Sequence, residues 1–252
     1  MCFTREPHTR RFRITPGRTI PESHHYEIFD IFSSIAWLDN LALRSGKSWL
    51  ARGRAQVEGK MVVIKPALHH VTMRTSRLDD MIAWYGSVIG AKVMFRDQYA
   101  AWTTNDEANH RVAFLAVPGL SDDPEKISHN GMHHSAFEYA SFVDLMSSWK
   151  RLSDEGIEAA FSLDHGLTIS IYYKDPEGNF VELQSDCFGD WKLSSEWIRT
   201  SPDFAKNPIG TFFDPAKVHA AHQSGVDFAT LHEGMRGGAY LPAEIPNIGL
   251  PG

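Results

Sequence analysis

Two histidine pairs and one glutamate are the residues of this sequence whose types and spacing best suit metal chemistry. His69-His70 and His133-His134 each lie in a stretch that alternates like a half-buried strand. Glu182 lies between apolar residues in a third such stretch, after the turn signal Asp-Pro-Glu-Gly. A carboxylate in that setting is costly unless it is paired or bound to a metal. Two imidazoles and one carboxylate leave one side of an ion open, as in non-haem Fe(II) oxygenases.

Strand periodicity does not decide which histidine of each pair binds the ion. Neighbouring side chains on a strand point to opposite faces, so one member of each pair faces away from the other. In the third stretch, Phe180, Glu182 and Gln184 share one face. The residues alone therefore indicate a metal site built from Glu182 and one histidine of each pair.

The histidine pairs begin two segments that have the same order of elements. In the first, a strand over residues 68–73 precedes an amphipathic helix that Gly90 ends, and short strands follow at 91–96, 99–103 and 110–117. In the second, a strand over 132–137 precedes a helix over 142–152, and strands follow at 157–161, 167–173 and 180–184. Aligning His70 with His134 without gaps also aligns Asp80 with Asp144. This repeat predicts an α+β fold of two paired βαβββ modules.

The chain divides into three parts around this repeat. Residues 1–60 are interpreted as an N-terminal extension, disordered or loosely docked, with the alternative that Met61 is the natural start. Residues 61–186 form the predicted domain, with modules at about 66–118 and 131–186. Residues 187–252 are a tail rich in aromatic residues and proline, with short helices, and Asp214-Pro215 predicts the start of one of them.

Composition excludes several functional classes. The 252 residues are 42% hydrophobic, which suffices for a substantial core. The net charge of −6 and the lack of a basic stripe argue against a nucleic-acid partner. No apolar run approaches the roughly 18 residues of a membrane-spanning helix. Two cysteines do not make a disulfide framework, so a cytoplasmic protein is expected.

Three further residues accompany the candidate ligands. His110 lies in Asn-His-Arg-Val-Ala-Phe-Leu, His165 lies in Asp-His-Gly, and Tyr172 precedes Glu182 by ten residues. With these motifs, residues 66–186 resemble the vicinal oxygen chelate superfamily (glyoxalase/bleomycin resistance/dioxygenase), and within it the type I extradiol dioxygenases that cleave catechols. The resemblance implies a catalytic histidine at His110, near the dioxygen, and substrate hydrogen bonds from His165 and Tyr172. The spacing from His165 to Glu182 is shorter than in two-domain members, which leaves the role of His165 to the structure.

The same resemblance chooses between the histidines of each pair. It implies that His70, His134 and Glu182 are the metal ligands, with His69 and His133 in structural or supporting positions. It implies a curved mixed sheet around the metal site, Fe(II) as the metal and Mn(II) as the alternative. The implied partners are a small aromatic diol, O2 and further copies of the same chain in a homo-oligomer.

Three other functions use related sites. Fosfomycin-type thiol transferases also use two histidines and one glutamate, usually with Mn(II), and would not need His110. A nickel or zinc glyoxalase needs a fourth protein ligand, and residues 112–117 contain no carboxylate. A metal-free protein that sequesters an aromatic compound would not need the ligand triad. The sequence therefore favours an Fe(II)-dependent extradiol dioxygenase of aromatic catabolism, with the transferase and the sequestering protein as alternatives.

Overall fold

The computed structural model describes residues 63–249 and two short strands before them, β1 (Gln56–Val57) and β2 (Lys60–Met61), which pair antiparallel. Residues 1–65 and 66–252 are two separate units. The expectation of an extension over residues 1–60 lies outside the described residues, apart from these strands. No helix in the described part is long and apolar enough to span a membrane.

The first module has the predicted order of elements. It consists of β3 (Val71–Thr75), α1 (Leu78–Ile89), β4 (Lys92–Arg96), β5 (Ala100–Thr104) and β6 (Val112–Ala116). Its sheet has the order β3-β6-β5-β4, with β3 parallel to β6 and the other pairs antiparallel. The helix buries Met81, Tyr85 and Val88, which share one face at helical spacing. It ends at Gly90, as predicted, because Gly90 takes a left-handed conformation with φ of 68°.

The second module repeats this arrangement. It consists of β7 (His134–Tyr139), α2 (Phe142–Asp154), β8 (Phe161–Asp164), β9 (Thr168–Lys174) and β10 (Phe180–Asp186). Its strands follow the order β7-β10-β9-β8, again with the first and last strands parallel. Each module thus carries its own mixed sheet, and the predicted α+β fold of paired βαβββ modules is confirmed.

The strand predicted at residues 157–161 begins later than expected. The backbone N–H of Ile157 donates to the carbonyl of Leu152 at 2.8 Å, so Ile157 still belongs to the end of α2. Only from Ala160, whose N–H donates to the carbonyl of Tyr172 at 2.7 Å, does the chain join the sheet. The strand therefore occupies Phe161–Asp164.

The turn between β9 and β10 joins the two modules. Tyr85 of α1 donates its hydroxyl to Asp175 Oδ2 at 3.2 Å. Thr75 of β3 donates to Glu177 Oε1 at 2.6 Å, and Arg77 donates to Glu177 Oε2 at 2.9 Å. The second module is therefore tied to the first by buried and half-buried hydrogen bonds at the end of its own hairpin.

The C-terminal segment packs on the second module. It contains α3 (Trp191–Thr200), α4 (Pro202–Lys206), β11 (Thr211–Phe212), α5 (Pro215–Gln223) and α6 (Phe228–Arg236). Strand β11 pairs antiparallel with β8 and extends that sheet to five strands. Helix α5 begins after Asp214, as predicted, and the Asp214 side chain accepts from the N–H of Ala216. Phe213 is fully buried in the same cluster as Leu145 of α2, so this segment completes the core.

Gly210 allows the chain before β11 to lie close to the backbone of Asp164 and His165. We therefore expect Gly210→Ala to lower the free energy of unfolding by about 3 kcal/mol. Its φ is +97°, and an added Cβ would lie 2.2 Å from the Asp164 carbonyl oxygen and 2.9 Å from His165 Cα. Backbone atoms cannot relieve this overlap by rotating away, as the end of a side chain could, so β11 must move. Gly225 is the matched control, because it has φ of +95° and nothing within 4 Å of an added Cβ. Urea unfolding should give Gly225→Ala only the backbone penalty of about 1–2 kcal/mol; equal losses would contradict the steric argument.

Candidate metal centre and active site

Strand pairing in the second module brings four predicted site residues together. Tyr172 and Glu182 are direct partners in the antiparallel ladder of β9 and β10, and the Tyr172 hydroxyl donates to Glu182 Oε1 at 2.8 Å. The parallel ladder of β10 and β7 pairs Phe180 with His134. His134 Nε2 consequently reaches Glu182 Oε2 at 3.0 Å. His165, in the turn between β8 and β9, places Nε2 3.0 Å from the Tyr172 hydroxyl.

The charges of this group follow from its burial. Glu182 is 4% exposed, and burial alone would raise the pKa of its carboxyl. Hydrogen bonds from His134, Ser170 and Tyr172 outweigh burial, so the pKa lies below its usual value and Glu182 is ionised. Burial, with the charge of Glu182, raises the pKa of Tyr172, which stays a hydroxyl donor. The buried carboxylate is thus held in its charged form by donors on three sides.

The order of donors and acceptors at His165 is determined by the same contacts. Because the Tyr172 hydroxyl proton goes to Glu182, the Tyr172 oxygen accepts from His165 Nε2. Burial lowers the pKa of His165 despite the charge of Glu182 nearby. A chain of hydrogen bonds therefore runs from His165 through Tyr172 to the carboxylate.

The donor atoms at Glu182 fit a divalent cation. Two neighbouring ligands with bonds of about 2.1 Å at a right angle lie about 3.0 Å apart. The contact between His134 Nε2 and Glu182 Oε2 is 3.0 Å. The second oxygen of Glu182 accepts from Tyr172, which is the kind of outer contact that orients a metal-bound carboxylate. One imidazole and one carboxylate of the predicted triad therefore lie at a separation that a shared ion would also fit, and their role as ligands stays a prediction.

The structure gathers His70 and His110 in a second group. The parallel ladder of β3 and β6 pairs Val71 with Val112, which brings His110 beside the first histidine pair. In the described residues, His69, His70 and His110 form a group whose ligand atoms all lie within 4.8 Å of one another. The rings of His70 and His110 are 4.3 Å apart. His70 thus lies with His110 and His69, and its place beside His134 and Glu182 in one metal site stays a prediction.

His110 has the surroundings of a neutral histidine. Partial burial, followed by the neighbouring rings of His70 and His69, lowers its pKa. Its Nδ1 lies 2.7 Å from Asn109 Oδ1, so the ring donates there and leaves Nε2 as an acceptor. A neutral imidazole with one free nitrogen is able to take up and return a proton.

The two histidine pairs are alike in atomic detail. Nδ1 of His69 lies 3.0 Å from Nδ1 of His70, with the rings at 85°. Nδ1 of His133 lies 2.8 Å from Nδ1 of His134, with the rings at 87°. Sequence reasoning left the first member of each pair in a supporting role and did not find these direct contacts, although their identical position in the repeat was the available signal.

A residue of the C-terminal segment also belongs to this site, and sequence reasoning missed it. The carbonyl oxygen of Ile248 lies 2.9 Å from His133 Nε2. The Ile248 side chain is 7% exposed and packs in a cluster with Phe161, Tyr172 and Phe180. Phe161 stacks on Tyr172 with ring centres 4.2 Å apart. An apolar, largely aromatic cluster of side chains therefore lies beside the hydrogen-bonded groups at Glu182.

Known proteins and one protein-family model match the same region of the chain. The family model described as the glyoxalase/bleomycin resistance protein/dioxygenase superfamily matches residues 67–183. The chain is 37% identical over 169 residues to biphenyl-2,3-diol 1,2-dioxygenase 2 of Rhodococcus globerulus, covering 66% of this chain and 88% of that one. It is 34% identical over 170 residues to biphenyl-2,3-diol 1,2-dioxygenase 3 of the same organism, covering 68% and 89%. A crystal structure of a glyoxylase/bleomycin resistance protein/dioxygenase domain from Frankia sp. is 19% identical, with a TM-score of 0.41 over 49% of this chain and 99% of that one.

Proposed function

The chain belongs to the glyoxalase/bleomycin resistance protein/dioxygenase superfamily, and from this premise we propose that it is an Fe(II)-dependent extradiol dioxygenase. Its substrate is a catechol-type diol, such as catechol or 2,3-dihydroxybiphenyl, in the breakdown of aromatic compounds. The observation that carries the proposal is the buried Glu182, which contacts His134 at 3.0 Å and Tyr172 at 2.8 Å. Similarity to two proteins named biphenyl-2,3-diol 1,2-dioxygenases supports the class of substrate.

In this proposal His70, His134 and Glu182 hold the iron, with Mn(II) as the alternative metal. Two imidazoles and one carboxylate leave open positions for two reactants. When bound, Fe(II) supplies the redox chemistry and a positive charge that favours the deprotonated diol. The ion also gives Glu182 a partner that justifies a carboxylate with 4% exposure on a central strand.

The other residues of the site bind and orient the diol. The hydrogen-bonded pair of His165 and Tyr172 lies beside the carboxylate, and binding of the diol redirects the protons of His165 Nε2 and the Tyr172 hydroxyl to the diol oxygens. Phe161 and Phe180 stand next to Tyr172 and suit the flat, apolar ring of an aromatic substrate. His110, with Nε2 free, moves a proton to or from the reacting oxygen atoms.

The reaction inserts both atoms of dioxygen and breaks the ring bond next to the diol. From catechol the product is the open-chain 2-hydroxymuconic semialdehyde, which is yellow, and no further reductant is consumed. The test is to load the protein with Fe(II) without air, and then to add catechol or 2,3-dihydroxybiphenyl in air. We expect yellow colour and the uptake of one molecule of dioxygen for each diol; a protein that holds iron and leaves both diols unchanged would contradict the proposal.

We expect His110→Ala to lower turnover by roughly 10²–10⁴-fold, because a positioned proton donor and acceptor contributes about that much. Iron content should stay unchanged, since His110 is not a proposed ligand. His129 is the control, because it is an exposed histidine that contacts Asp123 at 2.7 Å. His129→Ala should retain full turnover. Steady-state oxygen uptake with matched iron content measures the effect, and full activity of His110→Ala would refute the assignment.

A further inference from the structure

The face of the second sheet that carries Glu182 also carries an aromatic surface. Phe161, Tyr172 and Glu182 are successive partners across β8, β9 and β10, so their side chains form one row on the same face. Phe161 stacks on Tyr172 with ring centres 4.2 Å apart. Phe180 lies two residues before Glu182 on β10 and therefore shares this face, with its ring centre 5.3 Å from that of Phe161. A diol bound at Glu182 thus has three aromatic rings within reach of its own ring.

The side chain of Ile248 covers this aromatic surface. It is 7% exposed and belongs to the same buried cluster as Phe161, Tyr172 and Phe180. The backbone of the same residue is held separately, since its carbonyl oxygen lies 2.9 Å from His133 Nε2. Ile248 therefore reaches the site with two independent contacts, and only one of them depends on the size of its side chain.

The chain on either side of Ile248 is packed as well. The N–H of Gly249 donates to Asn247 Oδ1 at 2.9 Å. A Cβ added to Gly249 would lie 2.5 Å from Ile127 Cγ1, so the backbone there is pressed against the short helical turn Lys126–Ser128. Because the backbone is held from this side, the space over the aromatic surface depends on the side chain of Ile248.

A cavity of about 580 Å³ lies next to this position. Its lining includes Phe180, which belongs to the same cluster as Ile248, and Gly249, which follows Ile248 in the chain. The volume is in the range of about 300–1,000 Å³ that is usual for sites of small molecules. Room for a further ring is therefore present beyond the Ile248 side chain.

We propose that Ile248 is a specificity-determining residue, whose side chain occupies the place where the second ring of a biphenyl-type diol would stack on Phe161 and Phe180. The inference rests on the proposed function, because it assumes that the diol binds at Glu182. A one-ring diol such as catechol is accepted with Ile248 in place. A shorter side chain joins the aromatic surface to the neighbouring cavity, and a two-ring diol then gains contact with the aromatic side chains.

The test shortens this side chain in two steps, with Ile248→Val and Ile248→Ala in the full-length, iron-loaded protein. The measured quantity is kcat/KM for 2,3-dihydroxybiphenyl divided by kcat/KM for catechol, which does not depend on how much of each preparation is active. One methylene in an apolar pocket changes selectivity by roughly 10–200-fold. The ratio should therefore rise at least about 10-fold in Ile248→Ala and by a smaller factor in Ile248→Val. Both variants retain the carbonyl that contacts His133.

Ile245→Ala is the matched control, because it makes the same change in the same segment at a side chain that is 63% exposed. Its ratio should equal that of the wild type. A ratio that stays unchanged or falls in Ile248→Ala would overturn the inference. So would an equal rise in Ile245→Ala, since the effect would then come from loosening of the segment and not from space over the aromatic surface.

Binding without turnover gives a second measurement. Calorimetric titration of the iron-loaded protein in the absence of air should show that Ile248→Ala binds 2,3-dihydroxybiphenyl roughly 10-fold more tightly than the wild type does. The dissociation constant for catechol should be the same in both proteins, and equal tightening for both diols would contradict a limit on size. A wild-type protein that cleaves neither diol would refute the proposed function and this inference together. A wild-type protein that cleaves both, with the same ratio in Ile248→Ala, would refute the inference alone.

Discussion

Replacement of Glu182 by glutamine will remove iron and, with it, ring cleavage. The glutamine side chain keeps the shape of Glu182 and has one acceptor oxygen where the carboxylate has two. Glu182 uses both, Oε1 for the Tyr172 hydroxyl at 2.8 Å and Oε2 towards His134 at 3.0 Å. Since loss of an outer contact to a metal ligand already costs about 10–100-fold in affinity, loss of the charged ligand should cost more than roughly 100-fold.

The measurement is the iron content after anaerobic reconstitution, together with oxygen uptake on 2,3-dihydroxybiphenyl. Glu138→Gln is the matched control, because Glu138 lies on β7 of the same sheet, is exposed, and accepts from Trp191 Nε1 at 3.0 Å. We expect Glu138→Gln to bind iron and turn over normally. If Glu182→Gln retains stoichiometric iron, Glu182 is not a ligand and the metal site must be sought elsewhere, beginning with His69, His70 and His110.

Replacement of Asp175 by alanine will lower the free energy of unfolding by about 3 kcal/mol, because several buried donors lose their acceptor at once. Asp175 is 4% exposed. Its Oδ1 accepts from the N–H groups of Glu177 and Asn179 at 3.0 and 2.9 Å. Its Oδ2 accepts from Tyr85 of the first module at 3.2 Å and from Asn179 Nδ2 at 2.8 Å. Thermal unfolding should shift down by about 6–12 °C.

Tyr85→Phe is the control for the contact between modules, since it removes one of these hydrogen bonds and should cost about 1 kcal/mol. Equal losses in the Tyr85 and Asp175 variants would mean that the turn itself is unimportant.

Burial raises the folded-state pKa of Asp175, despite hydrogen bonds that oppose the shift. The stabilisation by this group is therefore fully present below the unfolded-state pKa of about 3.9 and decreases as the pH rises through the folded-state value. Urea unfolding should show a larger difference between wild type and Asp175→Ala at low pH than at pH about 7.

Helices were the elements best predicted from sequence. The apolar spacing from Leu78 to Ile89 and the glycine after it gave α1 with both ends correct, because helical periodicity and a left-handed cap are local properties. The strand expected at residues 157–161 was displaced, because the N–H of Ile157 bonds back to Leu152. The pattern of apolar residues does not reveal this hydrogen bond.

Only part of the candidate site was predicted from sequence, because only some of its features are local. Alternation in residues 180–184 identified Glu182 as a carboxylate in an apolar strand, and the repeat gave the histidine pairs equivalent positions. Tyr172 and His165 came from resemblance to a family. The hydrogen bond from Tyr172 to Glu182 depends on the register of β9 against β10, and the bond from His165 to Tyr172 depends on the turn between β8 and β9. The periodicity of a single strand specifies neither.

The amino-acid sequence by itself determined the two modules and the ionisable residues available for chemistry. The modules could be predicted because helices and strands repeat their apolar residues every three to four and every two positions. Tertiary structure alone decided which of these residues meet. Parallel pairing of β3 with β6 brought His110 to His70, and the return of the C-terminal segment brought the Ile248 carbonyl to His133, 115 residues away in the chain. Such contacts depend on how whole elements pack, and no local pattern encodes them.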